Sequence, residues 1–362
     1  MSHFVYIVLT AITMPTLFLS YCYFVTFNLA VTKEICNFVE NCDCMNIRSL
    51  IIILLGSAAL FMSSCGKGGG ENKAARRAAQ AKARAEEQAA FKVAVTPTLD
   101  CLPFFLMKDS MLYDSTKVDL RLKPFNAHID IDTAFVGGSV QAGATELVRA
   151  VELRRTHRVQ MRAIAVTPLQ WTLVGDKHNK ITSLKSLANH MVAMSRFSAT
   201  DWLTTIARKR AKTDDIIFSV QINDVNLRKQ MILNDEMDAA WLPEPQATAA
   251  LGAGNVALAK SDDEGRNFGV IVFLPTINDD ASQRERQLEA VKTAYDKAVK
   301  LINTHGLKYY KALIKKYMGV DDKTISRLPK VTFPSTGGAA RADILAAEKI
   351  TFQKHTPRVK IQ

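Results

Sequence analysis

The sequence predicts a two-lobed α/β protein. Three observations point there. From residue 91 on, short apolar or alternating runs take turns with stretches of helical period, the pattern of strands and helices laid down in succession. These units fall into two groups. A β-branched run, Phe268 to Phe273, then follows the second group as a return strand. At 362 residues the chain exceeds one ordinary domain but suits two lobes that share a long core.

In the first group, Phe91 to Val95 reads as a buried strand, broken by Thr96-Pro97-Thr98, and Leu102 to Lys108 as a short helix. Val118 to Leu122 alternates like a half-buried strand, and Ile129 to Val136 is helical until Gly137-Gly138 stops it. Strand Val140 to Ala144, helix Leu147 to Arg155, strand Val159 to Val166 and strand Trp171 to Val174 complete the group. The second group runs from the short helix Ser183 to Ala188 through strand Met191 to Met194, helix Thr200 to Arg210 and strand Ile216 to Val220. It continues with helix Val225 to Asn234, strand Ala239 to Leu242 and helix Pro245 to Leu251. After the return strand, a long helix aligns Leu288, Val291, Tyr295, Ala298 and Ile302 on one face, and further helices follow. The expected division is 91–174 for the first part of lobe 1, 175–266 for lobe 2, 267–335 for the return to lobe 1, and 336–362 for a C-terminal helix and tail. Parallel sheets are expected, with two crossings forming a hinge and a ligand cleft between the lobes.

Apolar residues make up 48% and charged residues 23%, the balance of a globular body, and the net charge is +12. The basic residues are spread along helix-like stretches without interleaved aromatics, so a solvated basic surface is expected and no nucleic-acid partner. Cys22, Cys36, Cys42, Cys44 and Cys65 lie in the first 65 residues and only Cys101 in the body, which leaves the body no disulfide framework. No matching His/Cys set accompanies Cys36, Cys42 and Cys44, so no metal site and no cofactor are expected.

The start of the chain reads as an address. From Met45, a short basic region with Arg48 precedes the apolar run Leu50 to Met62, then Ser63-Ser64-Cys65. The length suits a secretory signal, 45–64, better than a membrane span. The Ser63-Ser64-Cys65 ending resembles a bacterial lipobox, with Met62 where Leu is commoner. That resemblance implies lipidation at Cys65 and a body in the cell envelope on the periplasmic side. An uncleaved anchor helix is the alternative. Residues 1–44, with an apolar Phe4–Ala30 broken by Pro15, read as an upstream mis-start or a second membrane segment. Residues 65–90 form a Gly-rich tether and a basic, Ala-rich helix without a wide apolar stripe, a spacer between bilayer and body.

The run KVAVTPTLDCLPFFLMKDSMLYD, Lys92 to Asp114, resembles the opening of type II periplasmic binding proteins of the nitrate, sulfonate, taurine and thiamine-precursor group, with Met107 and Met111 where that pattern has Ala and Gly. NDEMDAAWLPEPQATAAL, Asn234 to Leu251, resembles a later signature of the group, and SLKSLANHMVAM, Ser183 to Met194, another that here lacks its Gly. The resemblance spans about residues 91–320. It implies the periplasmic-binding-protein-like II fold, hinge closure around a small solute, and delivery to an ABC permease and its ATPase by a monomeric receptor.

In such folds ligands meet the carboxyl ends of strands near helix N-termini. The candidate ligand residues are Thr96, Thr98, Leu99 and Asp100 after the first strand; Thr145 and Glu146 after the Gly143 strand; and Ser195, Ser198 and Thr200 before a lobe 2 helix. Trp241 and Glu244, with Trp171 and Trp202, complete the set. Convergence of two of the carboxylates Asp100, Glu146 and Glu244 would imply an amine-bearing, pyrimidine-like ligand. The helix N-termini and Arg196 would imply an anion, and the sequence leaves both open. His128, His157, His178, His190 and His305 are scattered and read as surface or satisfied residues. No hydrolase, zincin, P-loop or dinucleotide fingerprint occurs. Two alternatives to a transport receptor stand: a non-transport envelope sensor or scaffold, and a thiamine-pyrimidine-synthase-like enzyme, which the lone Cys101 disfavours.

Overall fold

The structure is a computed structural model that describes residues 69–275 and 281–355. The expected segment 1–44, the signal 45–64 and Cys65 lie outside the described residues. Among the described residues no helix is long and apolar enough to cross a membrane.

Helix α1, Gly69–Ala89, is exposed along most of its length, as its composition predicts. Its last turn is tied to the body: Glu87 pairs with Lys92 at 3.1 Å, with Lys123 at 3.0 Å and with Arg121. The body then unfolds in chain order as β1 (Phe91–Val95), α2 (Leu102–Asp109), β2 (Leu120–Pro124), α3 (His128–Val136), β3 (Ala142–Glu146), α4 (Leu147–His157) and β4 (Arg162–Thr167). Next come β5 (Trp171–Gly175), β6 (Met191–Met194), α5 (Ala199–Ala211), β7 (Phe218–Gln221), α6 (Val225–Leu233), β8 (Ala239–Pro243), α7 (Gln246–Gly252) and β9 (Val256–Lys260). The return is β10 (Gly269–Phe273), followed by α8 (Ala281–His305), α9 (Lys311–Met318), α10 (Asp322–Arg327) and α11 (Arg341–His355).

The strands form two five-stranded sheets, ordered β2-β1-β3-β10-β4 and β7-β6-β8-β5-β9. Each sheet is parallel except for one reversed strand. In the first it is β10, antiparallel to β3 and β4; in the second it is β5, antiparallel to β8 and β9. The reversed strand is in each case the one the chain enters just after crossing between lobes. The expectation of parallel sheets therefore holds only in part, because hydrophobic period carries no information on strand direction. Trp171–Gly175, grouped with lobe 1 in the sequence, pairs within the second sheet, which puts the first crossing at 168–170. Strand β9 has no counterpart among the sequence expectations, since its partly exposed, edge position leaves a weak apolar pattern.

The two crossings run side by side. Trp171 N–H donates to Ser261 Oγ at 2.9 Å, and Gln170 Nε2 to Asp262 at 2.6 Å. Gly269, where the chain re-enters the first sheet, is packed so closely that a Cβ would lie 2.8 Å from the Thr167 carbonyl oxygen and 2.6 Å from Leu169 Cβ. Gly269→Ala is expected to destabilise the fold by about 1–3 kcal/mol through overpacking, read from urea unfolding; an unchanged midpoint would mean that the crossings separate freely.

Phe91, Phe104, Phe273, Leu288, Tyr295 and Ile314 build one core cluster, on the side of the first sheet covered by α2, α8 and α9. A second cluster joins Phe135, Val148 and Val270 of the first lobe to Trp171, Leu203 and Trp241 of the second, with Ala347 and Ile350 of α11 beside them. This continuity of apolar packing means that the lobes meet as an interior, not as two wetted faces.

Candidate functional site

The strand ends of both sheets meet in a seam, and hydrogen bonds cross it. From the loop after β1, Leu99 N–H donates to the Glu244 carbonyl at 2.7 Å, and the Pro97 carbonyl accepts from Gln246 Nε2 at 2.9 Å. At the end of β3, Glu146 Oε2 accepts from Ala199 N–H, the first residue of α5, at 2.6 Å. Arg149 of α4 donates to the Arg196 carbonyl at 3.1 Å.

Around Glu146 lies a buried charged cluster. Glu146 and Arg228 are each 1% exposed. Burial pushes the Glu146 carboxyl up to about 7, against the pull of Ala199 N–H and the charges of Arg149 and Arg228. Arg228 sits in α6, where it donates to the carbonyls of Ile222 at 2.6 Å and Trp241 at 2.9 Å and to Ser195 Oγ at 2.6 Å; its guanidinium lies over the Trp171 ring. Burial lowers it to about 10. Arg149 pairs with Asp132, whose carboxyl burial raises to about 6. His128 Nδ1 lies 3.8 Å from Glu146 Oε1, and burial, aided by the two arginines, holds the ring down to about 3 and so neutral. His128 Nε2, Arg149 Nε and Trp171 Nε1 are buried without a hydrogen-bond partner.

The remaining candidates divide between framework and seam. Thr96 and Thr98 hydroxyls bond each other at 2.7 Å, and Thr96 N–H and both hydroxyls turn to Cys101 Sγ. Asp100 accepts from Thr167 Oγ1 at 3.3 Å, its carboxyl raised by burial. Thr145 precedes Glu146 on the same extended strand, so its side chain faces the opposite side of the sheet. Ser198 caps α5 by accepting from Thr200 N–H, and Thr200 Oγ1 accepts from Ser195 N–H. Glu244 is raised by burial and accepts from Thr248 N–H at 3.2 Å. Trp241 is core, its Nε1 donating to Thr204, while Trp202 is half-buried against Phe268. Asp100, Glu146 and Glu244 thus each have a different donor. Of the histidines read as surface or satisfied residues, His128 is instead buried in the seam with Nε2 unpartnered. Arg149, Arg228 and Asp132 escaped the sequence reading, because a charge inside an amphipathic helix pattern looks like its solvated face.

Residues of both lobes also wall a cavity of about 450 Å³. Lobe 1 contributes Thr96, Phe105, Phe125, Asn126 and Tyr317, and α6 contributes Asn226, Lys229 and Gln230. Phe105 and Tyr317 stack at 4.2 Å. No carboxylate lines it. Lys229 is only 7% exposed, makes no hydrogen bond or ion pair among the described residues, and is lowered by desolvation against the opposing charge of Asp224. Arg228 and Lys229 are neighbours about 100° apart on one helix, so one serves the seam and the other the cavity.

Comparison with solved structures fits this architecture. The fold is that of the periplasmic binding proteins. The periplasmic aliphatic sulphonate binding protein SsuA from Escherichia coli is 19% identical, with a TM-score of 0.57 over 74% of this chain and 86% of that one. The ligand binding component of an ABC-type import system from Staphylococcus aureus is 16% identical, with a TM-score of 0.61 over 74% and 92%. The periplasmic nitrate-binding protein NrtA from Synechocystis PCC 6803 is 12% identical, with a TM-score of 0.55 over 69% and 74%. Neither a protein-family model nor a curated protein sequence matches the chain. The resemblance to the nitrate and sulfonate group read from the sequence is borne out at the level of the fold, and so is the two-lobed α/β architecture.

Proposed function

We propose that the chain is the solute-binding receptor of an ABC-type importer, held to the membrane by lipidated Cys65 on the periplasmic side, which closes its lobes over a small anionic solute. The observation that carries this is the cavity of about 450 Å³ walled by both lobes, with the largely buried side chain of Lys229 on its lobe 2 wall. Its size suits a small molecule. Lys229 is a cation on the lobe 2 wall of the cavity, and a bound anion would pair with it across the seam. The separate donors of Asp100, Glu146 and Glu244 favour the anionic, nitrate- or sulfonate-like branch over the amine-bearing one, which required those carboxylates to converge. The stacked Phe105 and Tyr317 offer a face to an organic body, and closure would deliver the loaded form to a permease and its ATPase.

No catalytic role is proposed. Cys101, the one cysteine of the body, is buried and its thiol pushed well up by burial and by Asp100, which denies it thiolate chemistry. A non-transport sensor or scaffold is the second reading, favoured by the hydrogen bonds with which the seam already holds itself shut.

A thermal-melt screen of the purified full chain against nitrate, sulfonates, amines and thiamine precursors tests the proposal. A saturable upshift is expected with an anion, about 2.7 kcal/mol at a hundredfold excess over Kd. In Lys229→Met that upshift disappears while basal stability is kept or raised by up to about 1 kcal/mol. Upshifts with amines alone would move the ligand class, and none at all would favour the scaffold.

A further inference from the structure

We infer that the solute is an organic dianion, with an acidic group at each end, of which one end pairs with Lys229 and the other lies against Arg327 in a neighbouring cavity that Lys229 also lines. The inference rests on the receptor reading above and narrows its solute class.

The second cavity, of about 370 Å³, shares Lys229 and Gly319 with the first. It too is walled by both lobes. Lobe 2 supplies Lys229 of α6 and Gly252 at the end of α7. The return to lobe 1 supplies Val320, which belongs to that lobe's core cluster, and then Lys323 and Arg327 of α10. These two cations stand four residues apart and so share one face of the helix. The Arg327 guanidinium is fixed at the cavity by the opposite lobe, with Nη1 3.4 Å from the Gly252 carbonyl, and it makes no ion pair among the described residues. Asp321 is the one carboxylate among the described lining residues. It caps α10 by accepting from Thr324 N–H at 2.8 Å and offsets part of the charge of Lys323, as Asp224 does for Lys229. Arg327 is therefore the cation of this wall with most to gain from a ligand. A monoanion held at Lys229 leaves the Arg327 fork to water. A carboxylate tethered to that anion can meet the fork with two parallel charge-assisted hydrogen bonds, and the tether makes this second contact intramolecular.

Calorimetric titration of the full chain with straight-chain alkanesulfonates, and with sulfocarboxylates of equal chain length, tests the inference. The readout is the ratio of the two affinities. In the wild type the added carboxylate is expected to strengthen binding about tenfold at one or more chain lengths. In Arg327→Gln that ratio should fall to about one, because the tethered carboxylate loses its partner. Arg327 is exposed, so the variant is expected to fold. If Arg327 served only to hold the lobes together through Gly252, its loss would weaken both ligand classes alike and leave the ratio at its wild-type value. No gain from the carboxylate in the wild type, or a gain kept in Arg327→Gln, overturns the inference, and alkanesulfonate binding in the same titrations leaves the receptor reading standing. Binding of neither class overturns both.

Discussion

Replacing Arg228 by methionine is expected to destabilise the folded chain by about 3–5 kcal/mol, the largest effect of any single substitution considered. Methionine keeps the length of the side chain but none of its donors. The carbonyls of Ile222 and Trp241 and the hydroxyl of Ser195 then lose their partner inside the seam, where water does not replace it. Glu146 loses one of its two compensating charges, and Trp171 loses the cation over its ring. Equilibrium unfolding in urea, followed by tryptophan fluorescence, measures the difference. A loss below about 1 kcal/mol, the range of a surface substitution, would show that the guanidinium is not buried in the folded state.

Stability is expected to fall as the pH rises from about 4.5 to 7, through Glu146, and the change should vanish in Glu146→Gln. The sign follows from burial. The carboxyl titrates near 7 in the folded chain and at its ordinary 4.5 in the unfolded one, so between these values the folded state binds more protons. Ionising it in the seam above pH 7 costs up to about 3 kcal/mol relative to pH 4. Asp132, raised to about 6, acts in the same direction at lower pH. His128 acts in the opposite one. Its folded value near 3 lies below its ordinary 6.5, so stability is lost as the pH falls from 6.5 towards 3. The groups that face Glu146 are His128 and Asp132 from α3, Arg149 from α4, Ala199 N–H from α5 and Arg228 from α6. The wild type alone mixes these opposing slopes. The informative quantity is therefore the stability of Glu146→Gln minus that of the wild type, measured from pH 5 to 8. It should become more favourable to the variant by on the order of 2 kcal/mol. A flat difference would mean that Glu146 is ionised across the whole range and solvated.

The order of elements was legible because period 2 and period 3.6 survive in the sequence. Phe91–Val95, Met191–Met194 and the long helix α8 fall where the pattern puts them. Direction was not legible, since an apolar run reads the same for β10 as for β1, and only the crossing geometry reverses β5 and β10. Edge strand β9 was missed because an edge needs little apolar surface. In the site, segments at strand ends lie along one seam, where Leu99 meets Glu244 and Glu146 meets Ala199. What each residue does there was not legible. Thr96, Thr98 and Asp100 hold the first loop in shape, Trp241 is core, and the charges that matter most sit on α3, α4 and α6. A helical arginine or lysine looks the same in sequence whether its face meets water or the other lobe. Only tertiary packing separates Arg228 and Lys229 from the exposed basic residues of α1.

Isothermal titration calorimetry of the full chain and of Lys229→Met, with nitrate and a series of alkyl and aryl sulfonates and carboxylates, reads solute capture at Lys229 itself. Saturable one-to-one binding of at least one of these anions to the wild type is expected, and none to the variant. Binding that is unchanged in Lys229→Met, or confined to amines, would contradict it.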